Sequence, residues 1–138
     1  MKTSAYLVTP PTVFMATSGL SFTLVTRNPK WLESTQELIE ADFQGTNLVF
    51  YSTYEDKDNS NWPWLYQQGM ISDFILVDLA SASDFDICVF LPFVRERKVF
   101  WIIDEDLVDN NMMALLNLHS ASTSENIEDF LEIIKSGL

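Results

Sequence analysis

Acidic side chains gather in three stretches of this sequence, and carboxylates held close together support two kinds of chemistry. The stretches are Ser52 to Asn61, Asp78 to Asp86 and Asp104 to Asp109. A group of carboxylate oxygens can hold Mg²⁺. A crowded pair can also work as acid and base, because each charge raises the pKa of its neighbour. The plainer reading of the same residues is solvation, since acids are at home in loops and at helix starts. Within these stretches Asp84 and Asp86 are the candidate catalytic carboxylates, and Asp78 is a candidate ligand-binding residue. Aromatic residues bracket the first stretch: Tyr51, Tyr54, Trp62, Trp64 and Tyr66. Tyr54 and Trp62 are the candidates for stacking on a base or sugar. Aromatics in a first helical turn also serve as core.

Other chemistries lack their residues. None of the four glycines forms a phosphate-cradling loop. His119 is the single histidine and has no cysteine or histidine near it in sequence, so no zinc spacing exists and no metal ligands are assigned. No serine has the context of a nucleophile elbow. Cys88 lies in an apolar run and reads as an inert core thiol. No motif implies an organic cofactor.

Positioning the acidic stretches requires alternating elements. An N-terminal β-hairpin is expected, with Val13–Ala16 and Phe22–Thr26 flanking Thr17-Ser18-Gly19-Leu20 after a short strand from Tyr6 to Thr9. Asn28 and Pro29 then mark a helix start: Asn can cap, and Pro at the first position gives up an N–H that has no helical partner anyway. Trp31, Leu32, Leu38, Ile39 and Phe43 recur at helical spacing, and Gly45 suits the stop. Leu48–Tyr51 reads as a buried strand, Trp62–Met70 as a helix, and Phe74–Asp78 as another strand. The segment Ile87–Val94 fits a helix that ends or bends at Pro92; a hairpin turning at Arg95–Lys98 is the rival. Val99–Ile103 is a strand and Asp109–Leu116 a helix. The last helix is capped by Ser124 and buries Ile127, Phe130, Leu131 and Ile134.

From Phe22 onward, strand and helix alternate four times, which implies a parallel sheet covered on both faces. With right-handed crossovers this is a single α/β domain over residues 1–138. Its fold is a small doubly wound, Rossmann-like (flavodoxin-like) sandwich with a largely parallel sheet of four to five strands. Ligands of such sheets bind beyond the carboxyl ends of the strands, where all three acidic stretches would converge.

Whole-chain properties narrow the partners. The chain has 138 residues, 47% of them hydrophobic, and a formal net charge of −12 from 20 acidic and 8 basic side chains. So negative a surface disfavours direct nucleic-acid binding and anionic membranes, and favours a basic protein partner or simple solubility. One cysteine permits no intramolecular disulfide, which suits a reducing compartment. No signal peptide is evident, and no apolar run approaches the ~18 residues that would span a bilayer. A cytoplasmic location is expected.

One further pattern carries a family resemblance. The helix beginning Pro29-Lys30-Trp31, the strand Leu48-Val49-Phe50-Tyr51, and Trp62-Pro63-Trp64 leading into Ser72-Asp73-Phe74-Ile75-Leu76-Val77-Asp78 resemble the nucleoside 2-deoxyribosyltransferase-like group. These are small Rossmannoid proteins related in architecture to TIR domains. The resemblance spans Phe22 to Asp104. It implies a nucleoside or nucleotide ligand and a carboxylate nucleophile that holds the sugar covalently. Asp73 matches the family's first Asp, Asp84 the Asp after the strand, and Lys98 the Lys before the next strand. The nucleophilic Glu position falls on Phe90, and the Gly that follows the post-strand Asp is missing. Asp86 is the nearest substitute carboxylate. The other reading of the chain is a non-enzymatic inhibitor, adaptor or anionic mimic that binds a basic protein.

Overall fold

The computed structural model describes residues 4–8, 19–52, 62–82, 84–96, 99–102, 114, 122–124 and 126–137. Side chains are described for these residues except 4–8, 62, 64–65, 84–86, 95–96, 122 and 137. The elements are β1 (Ser4–Val8), β2 (Leu20–Val25), α1 (Pro29–Asp42), β3 (Asn47–Ser52), α2 (Trp62–Ile71) and β4 (Phe74–Asp78). They continue with α3 (Asp84–Phe90), a 3-10 turn (Leu91–Glu96), β5 (Val99–Ile102), β6 (Ser122–Ser124) and α4 (Ile127–Gly137).

All six strands are parallel and lie in the order β1-β3-β2-β4-β5-β6. Without the edge strand β1, the remaining five follow the doubly wound order of flavodoxin-like sheets. The chain steps from β2 outward to β3, then returns across β2 to β4, so the winding reverses between β2 and β4.

The expected N-terminal hairpin on β2 does not form. Both edges of β2 are taken by parallel neighbours, with Leu20 to Leu24 against β3 and Phe22 to Val25 against β4. No edge is left for an antiparallel arm; Val13–Ala16 itself lies outside the described residues. The first strand instead joins the sheet at its margin, parallel to β3, from Ser4↔Asn47 to Val8↔Tyr51. Among the described residues the sheet has six strands, against the four to five expected.

Side-chain alternation along the strands splits the core in two. Phe22, Leu24, Leu48, Phe50, Leu76, Phe100 and Ile102 pack with Leu32 and Ile39 of α1 and Ile127, Phe130, Leu131 and Ile134 of α4. Val25, Val49, Tyr51, Ile75, Val77, Val99 and Trp101 pack with Ile87, Phe90 and Phe93. Burying each aliphatic or Phe side chain stabilises the fold by about 1.5–3 kcal/mol. The Lys135–Asp42 ion pair between α4 and α1, at 3.0 Å and exposed to solvent, contributes about 0–1 kcal/mol. The apolar stripe of α4 therefore holds that helix in place.

The local signals act mostly as expected. Asn28 Oδ1 accepts from the N–H groups of Lys30 (3.0 Å) and Trp31 (3.4 Å), capping α1. Gly45 stands at φ 84°, where a side chain would be strained. The Ile87–Val94 segment is α3 followed by the 3-10 turn. The helix changes type at Leu91, just before Pro92, because proline removes an N–H donor and clashes with the preceding turn. The α4 cap is corrected: Asn126 Oδ1 accepts from the Asp129 N–H at 2.9 Å, while Ser124 is a buried β6 residue. Cys88 is corrected as well. It is exposed, because α3 turns Ile87 and Phe90 to the sheet and Cys88 away from it. The expected helix Asp109–Leu116 lies outside the described residues apart from Ala114, which is helical.

Candidate functional site

Parallel strands carry their carboxyl ends to one edge, so Ser52, Asp78 and Ile102 end β3, β4 and β5 on the same side of the sheet. The helices that follow β3 and β4 start there: α2 at Trp62 and α3 at Asp84, with Asp86 in the first turn of α3. The backbone therefore brings Trp62, Asp78, Asp84 and Asp86 to one end of the domain. The side chains of Trp62, Asp84 and Asp86, and all of Tyr54 and Asp104–Asp109, lie outside the described residues.

Asp78 is the one proposed site residue whose side chain is described, and it sits at the winding reversal. Val25 and Val77 are register partners, which puts Thr26, one step beyond β2, level with Asp78. Ser81 returns to the same point because the chain turns tightly after β4. The N–H groups of Ser81 (3.2 Å) and Ala82 (2.8 Å) both donate to the Asp78 carbonyl. Thr26 Oγ1 then donates to Asp78 Oδ2 at 2.9 Å, and Ser81 Oγ to the same oxygen at 2.7 Å. The two hydroxyl oxygens are 3.0 Å apart.

Both hydroxyls are themselves aimed by the backbone. The Arg27 N–H donates to Ser81 Oγ at 2.9 Å, and the Asn28 N–H to Thr26 Oγ1 at 3.0 Å. Each hydroxyl oxygen is thus engaged as an acceptor, which leaves its proton for the carboxylate. Asp78 is only 5% exposed. Its second oxygen, Oδ1, accepts no hydrogen bond among the described residues. A carboxylate fixed through one oxygen and open at the other is a preorganised acceptor.

The start of α1 is charged unlike the start of α4. The first turn of α1 has no acidic residue, and it carries Lys30 just after Arg27. The first turn of α4 carries Glu128 and Asp129. Acids suit a helix N-terminus and cations do not. Lys30 in the first turn of α1 is therefore not explained by helix stability.

Asp73, the family-matched acid, lies at the other end of β4. There Asp73 Oδ2 accepts from the Ser21 N–H at 2.8 Å, and the Asp73 N–H donates to the Ser21 carbonyl at 2.9 Å. Phe90, at the nucleophile position, is fully buried and packs on Phe93 with ring centroids 6.3 Å apart. Among the described residues, no group of three or more His, Cys, Asp or Glu side chains is placed to hold a metal ion. No described helix is long and apolar enough to cross a membrane. Starting from this same end, Pro29, Leu32, Glu33, Gln36, Glu37 and Glu40 line an acidic groove of about 350 Å³ along α1.

Sequence reasoning named Asp78 as a candidate and did not name Thr26, Arg27 or Ser81, which the fold brings beside it. Thr26 and Ser81 are 52 and 3 residues from Asp78 along the chain, and a lone hydroxyl carries no periodic signal. The one usable clue was the basic pair beside an otherwise well-marked helix cap. No protein-family model and no curated protein matches the chain, so its site is read from geometry.

Proposed function

We propose that this chain is a Rossmannoid binding domain that takes a nucleoside or nucleotide at the carboxyl end of its sheet, between β2 and β4. The observation that carries this reading is Asp78: a buried carboxylate at the winding reversal, clamped through Oδ2 and open at Oδ1. That crevice is where open α/β sheets bind ligands. Lys30, exposed in the first turn of α1, favours an anionic group at this end, such as a nucleotide phosphate. Tyr54 and Trp62 are the proposed stacking groups, and Asp84 and Asp86 the remaining polar wall. Glycosyl transfer is not part of the proposal, because Phe90 fills the nucleophile position within the core. Ligand binding to the native state must raise the melting temperature. A panel of nucleosides and nucleotides at millimolar concentration is expected to contain at least one that does so. No shift with any member removes the reading.

A second reading, docking of a basic protein segment, is favoured by the acidic groove along α1. Glu33, Glu37 and Glu40 recur there at one-turn spacing on an exposed or half-exposed face. A synthetic Lys-rich helical peptide is expected to bind at low salt and release at high salt. Equal binding by a Glu33→Lys, Glu37→Lys double variant excludes this groove as the docking site.

A further inference from the structure

We propose that the outer face of α2 is a self-association surface, on which a second copy of this chain docks about a two-fold axis. The inference is independent of the nucleoside reading. Pro63, Tyr66, Gln67, Met70 and Ile71 are all exposed, and their spacing of i, i+3, i+4, i+7 and i+8 lays them in one stripe along the helix. Tyr66 is 40%, Met70 57% and Ile71 42% exposed, so α2 carries three of the five large apolar side chains exposed among the described residues. Single exposed apolar residues are ordinary, whereas a contiguous group of them marks a contact surface. The stripe cannot be turned inward. Gly69 faces the core so closely that a Cβ there would lie 2.9 Å from Phe93 Cε2, and the hydroxyl oxygens of Ser72 and Thr23 meet at 2.6 Å just beyond the helix. Tyr66 is already ordered, its ring packed on Phe93 with centroids 5.1 Å apart, which lowers the entropy cost of burying it.

Charge selects the occupant. Among the described α-helices only α2 has no charged residue; α1 carries Glu33, Glu37 and Glu40, α3 Asp84 and Asp86, and α4 Glu128, Asp129 and Glu132. Two chains of net charge −12 therefore repel each other through those helices and can meet on α2 without setting acid against acid. A basic partner is drawn instead to the acidic faces. Gln67, at the middle of the stripe, fits a second copy as well. An amide offers both N–H donors and a carbonyl acceptor, so two copies of it facing each other across a two-fold axis satisfy one another. With Tyr66 and Met70 beside it, the stripe is apolar at its flanks and self-complementary at its centre, and Tyr and Met are both enriched at interfaces. The helix has 10 residues, so the interface is small and the dimer transient.

Sedimentation velocity of the full chain, at concentrations up to roughly 1 mM and at low and high salt, tests the inference. The wild type is expected to pass from monomer to dimer as concentration rises. Salt is expected to tighten the dimer, because it screens the repulsion between two acidic chains. Met70→Glu and, separately, Gln67→Glu set like charges against each other across the axis and are expected to weaken the dimer at least about 10-fold. Both positions are exposed, so circular dichroism is expected to show the fold intact. If Met70→Glu fails to fold, Gln67→Glu decides alone. Ile133→Glu, at a 49% exposed apolar position on α4, is expected to leave the dimer unchanged. A wild type that stays monomeric at every concentration and salt overturns the inference. So does a dimer that both α2 variants keep at full strength, one that Ile133→Glu abolishes, or one that high salt dissociates.

Discussion

Two Ser/Thr–Asp knots tie β2 to β4, one at each end of the same strand pair, and they differ in what they leave open. At the amino end, Ser21 and Asp73 exchange backbone and side-chain hydrogen bonds, and Thr23 Oγ1 meets Ser72 Oγ at 2.6 Å. Ser72 Oγ also donates to the Gln68 carbonyl at 2.6 Å, closing the end of α2 onto the sheet. The Asp73 side chain there is on an exposed residue, so water serves whatever the protein does not. At the carboxyl end Asp78 is buried, and its second oxygen has no hydrogen-bond partner among the described residues. The same residue types therefore do different work. The amino-end knot fastens strands, and the carboxyl-end knot fixes a carboxylate through one oxygen, where the proposed ligand would bind.

The sharpest way to stress the amino end is Gly19→Ala. Gly19 has φ 100°, and a Cβ there would strike the Asn47 carbonyl oxygen and carbon. Chemical denaturation is expected to show a loss of about 3 kcal/mol, with backbone strain and the clash both contributing. Next is Asp78→Ala, which strands two aimed hydroxyls; the same measurement is expected to show a loss of about 2 kcal/mol together with loss of nucleoside binding. Asp73→Ala is expected to cost about 1 kcal/mol, since water can replace an exposed acceptor, and to leave ligand affinity unchanged. If Asp73→Ala removed binding and Asp78→Ala did not, the assignment of the two knots would be reversed.

The smallest effect is one of pH and also belongs to the carboxyl end. Burial pushes the Tyr51 hydroxyl above its ordinary value of 10.0, because the charged phenolate loses its hydration. The unfolded chain ionises first as pH rises. The stability linked to this group is therefore complete below the unfolded value and is lost as pH rises through the folded one. Denaturation midpoints above pH 10 are expected to fall less steeply in Tyr51→Phe than in the wild type.

The order of elements was readable because each relies on nearby residues: the Asn28-Pro29 start, the apolar runs of β3 to β5, and the stripe of α4. The bend at Pro92 was readable for the same reason, since its cause is local. The hairpin expectation failed because a Ser-Gly turn does not decide which strand a β segment joins. That choice was made by neighbours about 30 and 50 residues further on, whose parallel pairing takes both edges of β2. Ser124 looked like a cap and is a strand residue, because Asn126 lies closer to the helix and its side chain reaches Asp129. Asp78 was named as a candidate from its place at the end of an apolar run. Its partners Thr26 and Ser81 were not, because only the folded register brings them to it.

The central claim is that the two knots differ in function, and amide chemical shifts under titration test it most directly. On adding millimolar ribonucleoside monophosphate, the amides of Thr26 to Asn28 and Asp78 to Ala82 are expected to move. Those of Ser21 to Thr23 and of Ser72 and Asp73 are expected to stay. Shifts confined to the amino-end group, or none at the carboxyl end with any base, would contradict the account.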